Sequence, residues 1–532
     1  MTLRPVVLRG ESLRGEPLRA AAIALVAALA VVALAPPGGD SAAHLYRTML
    51  VRDGVAVWDN LWFGGQYPLA SYSPLYYLPA ALVGNVPLVV AAVVASAALF
   101  ASVATHEWGA DARWPARAFG LLAAGPLFTG TYSYAAGLAA ALACLRLLQL
   151  RRPWLAVVAA GLALGFSPLA FAFLCVVLGA VAAGTRPTPR RTAVVAGGLL
   201  VVVLVQAVVL WLFPSEGRYP FSPLSLTAAL VVSALGAALA RRTERGRLIA
   251  PFFVLWALVC LGAFLVPSPF GDNLTRLRGL VFPLVLLAAV LARFRPRWLA
   301  AGAVAFALAY NLGPDVSALP KRADDRPTAT ESYWRPALDF IAARRDPNHR
   351  VEVVPTFGHW EAWWVPREGF ALARGWYRQI DLAENPELYE NPLEPAAYRR
   401  WLDRMAVRWV LLPDARLGPM GADREAALLR SGRAGLRPAF RSAHWVVYEV
   451  PRARPILEGG SLTALAHERI EGVAGTGRHR LRVRWNRYWE VEAGAVCVEP
   501  RADGQTTLVA RGPGRFALVV GRGGGRCNRA DD

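Results

Sequence analysis

Cysteine is scarce in this chain, with five in 532 residues, and no spacing among the cysteines and histidines has the pattern of a zinc site. Acidic residues are also few, 38 against 58 basic ones, which leaves a formal net charge of +20. No internal repeat occurs at any obvious period. The two halves of the apolar region do not mirror one another, and no long basic loop divides them, which counts against the commonest two-half transporter plan. An adjacent Asp-x-Asp pair is missing too.

What the chain has in quantity is apolar residue: 55% of it is hydrophobic, concentrated in the first 313 positions. Crossing a bilayer as a helix takes roughly 20 mainly apolar residues. Runs near 20–36, 86–105, 118–134, 135–150, 154–166, 168–184, 192–213, 223–240, 248–266, 277–292 and 298–313 predict about eleven spans. Residues 72–84 are too short to cross alone and read as an entry helix or a half-span, so counts from about ten to thirteen are tenable. The first run follows an arginine-rich stretch, as a secretory signal does, but Ala35-Pro-Pro-Gly-Gly-Asp40 lacks a small-x-small cleavage site, so it reads as a retained anchor. Ser167-Pro168 either kinks one long helix or joins two partial ones, an arrangement that at membrane depth usually lines a cavity.

A charge of +20 would suit a nucleic-acid binder if it formed one patch. Instead it is partitioned between alternate loops. One set carries Arg4, Arg9, Arg14, Arg19, Arg113, Arg117, Arg151, Arg152, Arg186, Arg190, Arg191, Arg241, Arg242, Arg245, Arg247, Arg293, Arg295 and Arg297. The other carries Arg47, Arg52, Arg218, Arg276 and Arg278. This is the positive-inside pattern; it predicts a multi-pass bacterial inner-membrane protein, N-terminus (1–19) cytoplasmic and C-terminal part outside, with membrane lipid and not nucleic acid as its surroundings.

After Gly313-Pro314 the composition turns polar, and residues 314–332 read as a linker between a membrane domain (20–313, outer loop 37–71) and a soluble half. Helical patterns at 333–346, 395–405 and 422–430 alternate with strand patterns at 351–355, 407–412 and 445–450, which predicts an α/β subdomain over 333–455. From 456 to 532 short alternating segments at 479–485, 488–491, 495–498, 506–509 and 516–520 predict a small β-sandwich and tail. Cys144, Cys175 and Cys260 lie in apolar spans; Cys497 and Cys527 are the two left in the soluble half, outside the cytoplasm, where a disulfide between them would persist and would tie down the Gly-rich, basic tail.

The polar loop between the first two spans holds the chemistry. It runs from Gly38-Gly39-Asp40-Ser-Ala-Ala-His44-Leu-Tyr46 through Trp58-Asp59-Asn60 to Ser73-Pro-Leu-Tyr76-Tyr77. Ionisable groups near hydrocarbon are costly unless solvated, paired or used, so Asp40 and Asp59 are the first candidates. Asp40 follows two glycines and precedes a helix, where it can equally serve as an N-cap. His44 lies four residues on, on the same helix face, and either takes part or merely packs. Trp58, Trp62, Tyr72, Tyr76 and Tyr77 either line a substrate or form an interfacial belt. Gly271-Asp-Asn273-Leu-Thr-Arg276-Leu-Arg278 and Arg218 offer cations to a phosphate, with interfacial anchoring as the plainer reading. In the soluble half, His359-Trp-Glu-Ala-Trp-Trp364 and Arg374-Gly-Trp-Tyr-Arg-Gln-Ile-Asp381 combine aromatic and charged side chains, as a glycan groove or a docking face would.

A first span, an outer loop opening with an aspartate, the aromatic Tyr72-Ser-Pro-Leu-Tyr76-Tyr77, a many-helix bundle and an outer C-terminal domain together resemble the GT-C superfamily of polyprenyl-phosphate-sugar-dependent glycosyltransferases. Asp40-Ser-Ala-Ala-His44-Leu-Tyr46 more closely resembles bacterial membrane proteins labelled 6-pyruvoyl-tetrahydropterin synthase-related, although the histidine cluster of pterin chemistry is missing. The GT-C resemblance implies a transferase taking sugar from a lipid donor to a glycan or glycolipid acceptor. It gives Asp40 the role of acceptor base, Asp59 that of a second carboxylate, sometimes with a divalent cation, and Asn273, Arg276, Arg278 and Arg218 the donor phosphate. The alternative is a non-catalytic membrane protein that binds or moves a lipid-linked or polysaccharide precursor.

Overall fold

Helices apolar on every side need a neighbour other than water. The computed structural model describes residues 15–68, 73–185, 188–214, 217–293 and 296–527. Among these, seven helices are long and apolar enough to cross a membrane: Glu16–Leu34, the stretch Asn85–Thr129, Pro168–Thr185, Thr192–Leu212, Pro223–Ala240, Gly271–Ala292 and Arg297–Asp324. Pro153–Phe166 and Ile249–Leu265 are apolar but shorter. Leu200, Val201, Leu204, Val205 and Val208 of the Thr192–Leu212 helix are all exposed, as lipid-facing residues would be. The expected span over 118–134 is instead two pieces, Arg113–Leu122 and Gly125–Thr129, followed by Tyr132–Gln149. At Ser167-Pro168 the chain makes two helices, not one kinked one: Ser167 is extended (φ −158°, ψ 111°), since the residue before a proline is driven out of the helical region.

The chain folds as two compact units. The first comprises Met1–Gly38, Tyr72–Leu212 and Arg218–Leu319. Its helices approach through small residues. Ala20, Ala24 and Ala28, spaced by four, are wholly buried, and a Cβ on Gly120 would come within 2.7 Å of the Ala20 carbonyl. Glu16, fully buried where the first helix begins, accepts from Arg117 at 2.7 and 3.0 Å and from Arg19 at 2.6 Å.

The second unit comprises Gly39–Ser71, Phe213–Gly217 and Pro320–Asp532. The loop 37–71, read from sequence as part of the membrane domain, therefore belongs from Gly39 onward with the C-terminal half. The expected linker is also replaced by structure: the helix Arg297–Asp324 continues through Pro314 and Pro320, and a 3₁₀ turn at Arg326–Ala329 leads into the helix Glu331–Ala342.

In the α/β part, β1 (Arg350–Val353), β2 (Val407–Pro413), β4 (Trp445–Glu449) and β3 (Arg437–Arg441) lie in that order, β1 parallel to β2 and the rest antiparallel. The helices Glu361–Arg367, Arg378–Glu384 and Pro395–Arg404 fall in the connection from β1 to β2. The last part is a pair of antiparallel sheets, β5 (Gly460–Ala466), β6 (Arg469–Ala474), β11 (Gly514–Val520) and β8 (Trp489–Ala493) in one, β7 (Gly477–Arg484), β10 (Gln505–Ala510) and β9 (Val496–Pro500) in the other. Cys497 and Cys527 are disulfide-bonded.

Residues 39–68 contribute to two of the hydrophobic clusters of the second unit. Ala42, Ala43, Tyr46, Trp62 and Phe63 join Trp334, Trp376, Trp409 and Trp445 in one cluster, and Trp58 and Tyr67 join Trp489 and Phe516 in the sandwich cluster. Trp58 and Trp62 are thus core residues of the second unit; they line no open surface. The Glu468 carboxylate holds this segment by accepting from the consecutive N–H groups of Ala56, Val57 and Trp58 at 2.9 to 3.2 Å. Glu468→Ala is expected to lower unfolding stability by about 1–3 kcal/mol and to open residues 53–58 to limited proteolysis; wild-type cleavage kinetics in the variant would show that the segment is held by other contacts.

Candidate functional site

The helix Ser41–Arg52 begins at Asp40, which occupies the N-cap position with φ −90° and ψ 0° yet makes no side-chain capping hydrogen bond. Its Oδ1 instead accepts from the indole N–H of Trp376 at 3.1 Å. Of the two readings of Asp40, cap or functional carboxylate, the capping bond is not made. His44 and Arg47 follow at i+4 and i+7 on the same helix face, both buried. The Arg47 guanidinium lies 4.4 Å from the centre of the Tyr377 ring.

Trp376 is itself clamped. The His359 ring stacks on it with 3.3 Å between centroids and 13° between planes. His359 Nδ1 lies 3.0 Å from Glu361 Oε1, and Glu361 Oε2 accepts from both the N–H (3.1 Å) and the hydroxyl (2.9 Å) of Thr356. His359 adopts a left-handed backbone (φ 53°), which a non-glycine residue holds only when its surroundings over-determine it. Gly375 is required beside Trp376: a Cβ there would sit 2.6 Å from Cδ2 of Trp62. A run Glu361–His359–Trp376–Asp40 thus connects the α/β subdomain to the start of the loop helix.

Asp59 has another task. It is fully buried, its Oδ1 accepting from Leu61 N–H (2.9 Å) and facing His467 Nδ1 (2.9 Å), its Oδ2 accepting from Tyr46 hydroxyl (3.0 Å) and Gln66 Nε2 (3.3 Å). A carboxylate has about four lone-pair sites, and these contacts occupy them. No group of three His, Cys, Asp or Glu side chains suited to a metal occurs among the described residues. With its lone pairs taken, Asp59 has none left for a cation, and it acts as a clamp for the loop. Burial works against a charge on His467, but the hydrogen bond to Asp59 and its negative charge outweigh this and raise the His467 pKa. Burial and the neighbouring Asp59 likewise hold the Tyr46 phenol far above its usual range.

Behind Trp376 lies a buried ionic cluster. Arg374 donates to Glu352 through Nε (2.8 Å) and also through its terminal nitrogen, and to Glu425 at 2.7 Å, with Asp381 3.9 Å away. Three carboxyls face one guanidinium; burial raises the Glu352 pKa well above the carboxylate range, with Glu425 and Asp381 adding to the rise and Arg374 opposing it.

The remaining predicted residues lie in the first unit. Arg278 pairs with Asp315 at 3.1 Å, and Asn273 and Arg276 sit on the 3₁₀ turn Gly271–Leu277. The Tyr219 N–H donates to the Ser268 carbonyl at 2.9 Å and the Asp272 N–H to the Pro220 carbonyl at 3.2 Å, which brings the exposed Arg218 loop beside that turn. Tyr76 donates to Asn85 at 3.0 Å and packs edge-on against Tyr77; both rings are buried, so they are packing groups and do not line a cleft. Tyr72 lies outside the described residues. Sequence reading missed His467 and the pairing of Trp376 with Asp40, because the partners stand 408 and 336 residues apart. Arg47 had a signal, its place seven residues after Asp40, that charge counting alone passed over.

No family model and no curated protein matches the chain. Among solved structures, the crystal structure of an Archaeoglobus fulgidus oligosaccharyltransferase tethered to an acceptor peptide is similar, at 11% identity and a TM-score of 0.43, over 75% of this chain and 69% of that one. The site rests on this chain's own residues.

A raised histidine pKa stabilises the fold fully below the unfolded value of about 6.5, and that contribution is lost as pH rises through the folded value. His467→Gln keeps a donor for Asp59 without the titration. Thermal unfolding of the full chain should therefore weaken less steeply above about pH 6.5 in the variant than in wild type; parallel curves would mean that the pair does not titrate there.

Proposed function

We propose that this chain is a membrane glycosyltransferase of GT-C type, moving a sugar from a polyprenyl-phosphate donor to a glycan or glycolipid acceptor outside the cytoplasm. The observation that carries the reading is Asp40: a carboxylate at a helix start that forgoes capping and is held by an indole N–H from 336 residues away. Such an arrangement orients a base. Further support comes from the apolar spans and the arginine-rich loops, which suit a plasma-membrane protein with a cytoplasmic N-terminus and the second unit outside.

In this mechanism Asp40 takes the proton of an acceptor hydroxyl as its oxygen attacks the anomeric carbon. The bond from that carbon to the phosphate oxygen breaks, and its electron pair leaves with the lipid phosphate. Attack opposite the leaving group inverts the anomeric centre. The GT-C resemblance gives the phosphate to Arg276, Arg278, Arg218 and Asn273 of the first unit, where Arg278 is paired with Asp315. A positioned base is worth about 10²- to 10⁴-fold in rate.

Asp40→Asn preserves the acceptor for Trp376 but removes the base. At normal protein level, a strain carrying it should show the cell-envelope glycan profile of a full deletion. A wild-type profile from Asp40→Asn, alongside an altered profile from the deletion, would overturn the base and favour a non-catalytic protein that binds or moves a lipid-linked or polysaccharide precursor.

A further inference from the structure

The second unit contains a pocket of about 440 Å³, its mouth included, lined by His359, Trp376, Arg374, Arg378, Asp381 and Tyr389. One polar atom on it lacks a partner. His359 is 7% exposed, and its Nε2 is buried without a hydrogen bond. An orphaned buried nitrogen is costly to a fold and is expected to be answered by a ligand or a water.

The surrounding bonds settle what it needs. Glu361 already accepts two donors from Thr356 and faces His359 Nδ1, so the imidazole proton belongs on Nδ1. Nε2 is then a lone pair seeking a donor. An anion does not suit the pocket, because carboxylates outnumber guanidiniums around Arg374. A cation does not suit it either, since the two carboxylates on its lining are taken: Asp381 accepts from Asn385 and Tyr389, and Glu361 accepts from Thr356 while facing His359. A neutral hydroxyl fits. Met420, exposed beside it, adds apolar surface for a C–H face of the ring that would bear it. The inside has room for little more than one water-sized group, while the mouth is wider.

We propose that this pocket is an acceptor subsite in which His359 Nε2 receives a hydroxyl of a sugar ring; the assignment to the acceptor rests on the transferase reading above. Trp376 is the wall shared with the base: its face carries His359 and its N–H carries Asp40. A sugar hydroxyl seated on His359 is therefore anchored one indole away from the carboxylate that would deprotonate a neighbouring residue of the same acceptor.

The test is saturation-transfer NMR of the full chain in nanodiscs with methyl glucoside, methyl mannoside, methyl galactoside and methyl N-acetylglucosaminide. At least one should bind saturably to wild type. His359→Phe keeps a ring on Trp376 but removes Nε2, and should weaken that binding about tenfold or more. Met420→Trp narrows the mouth with His359 intact, covers the case in which His359→Phe fails to fold, and should also abolish binding. No glycoside binding to wild type, or wild-type affinity in either folded variant, would overturn the subsite. Binding that depends on His359 in a protein whose Asp40→Asn strain has wild-type glycans would keep the sugar site and sink the transferase; altered glycans without glycoside binding would do the reverse.

Discussion

The interaction on which the second unit depends is the burial of Asp59. A carboxylate taken wholly out of water survives only if its lone pairs are met, and this one is met by Tyr46, Leu61, Gln66 and His467. These partners come from the helix Ser41–Arg52, from the turn after Asp59 and from the segment joining β5 to β6. One charge thereby fixes a loop at the N-terminal end of the chain to strands more than 400 residues later. Remove it, and the helix carrying Asp40 loses its anchor before any contact at Asp40 is touched.

A second buried charge governs the other side of the site. Arg374 gathers Glu352, Glu425 and Asp381, and burial among that excess of carboxyl raises the Glu352 pKa. Such a cluster is poor evidence of stability, because its desolvation penalty offsets much of the attraction. What it supplies is definition: it fixes the backbone at Arg374 and Gly375, and hence the next residue, Trp376, between His359 and Asp40. Steric need reinforces this at Gly375, where Trp62 leaves no room for a side chain.

Much of the secondary structure was legible. The helices at 395–404 and 422–430 and the strands at 407–413 and 445–449 follow from periodic apolar residues bounded by turn formers. Three strands went unread. Arg437–Arg441 is an edge strand with mostly exposed side chains, and Gly460–Ala466 and Arg469–Ala474 alternate too weakly to register. Polar composition made residues 314–332 look like a linker, yet a helix runs through to Asp324, since an exposed helix needs no apolar face when the preceding turns already set its path.

Local pattern by itself determined that the first half is built of apolar helices, that the second half is α/β followed by β, and that Asp40 deserved suspicion. These follow from periodicity and from the cost of placing charge near hydrocarbon, both of which are written in neighbouring residues. How each carboxylate is partnered was decided by tertiary structure. Asp59 and Asp40 look alike in sequence; one meets three donors from its own segment and a fourth, His467, from 408 residues away, the other takes an indole N–H from 336 residues away. Hydrogen bonds between residues hundreds of positions apart leave no periodic trace, so only the folded chain distinguishes them.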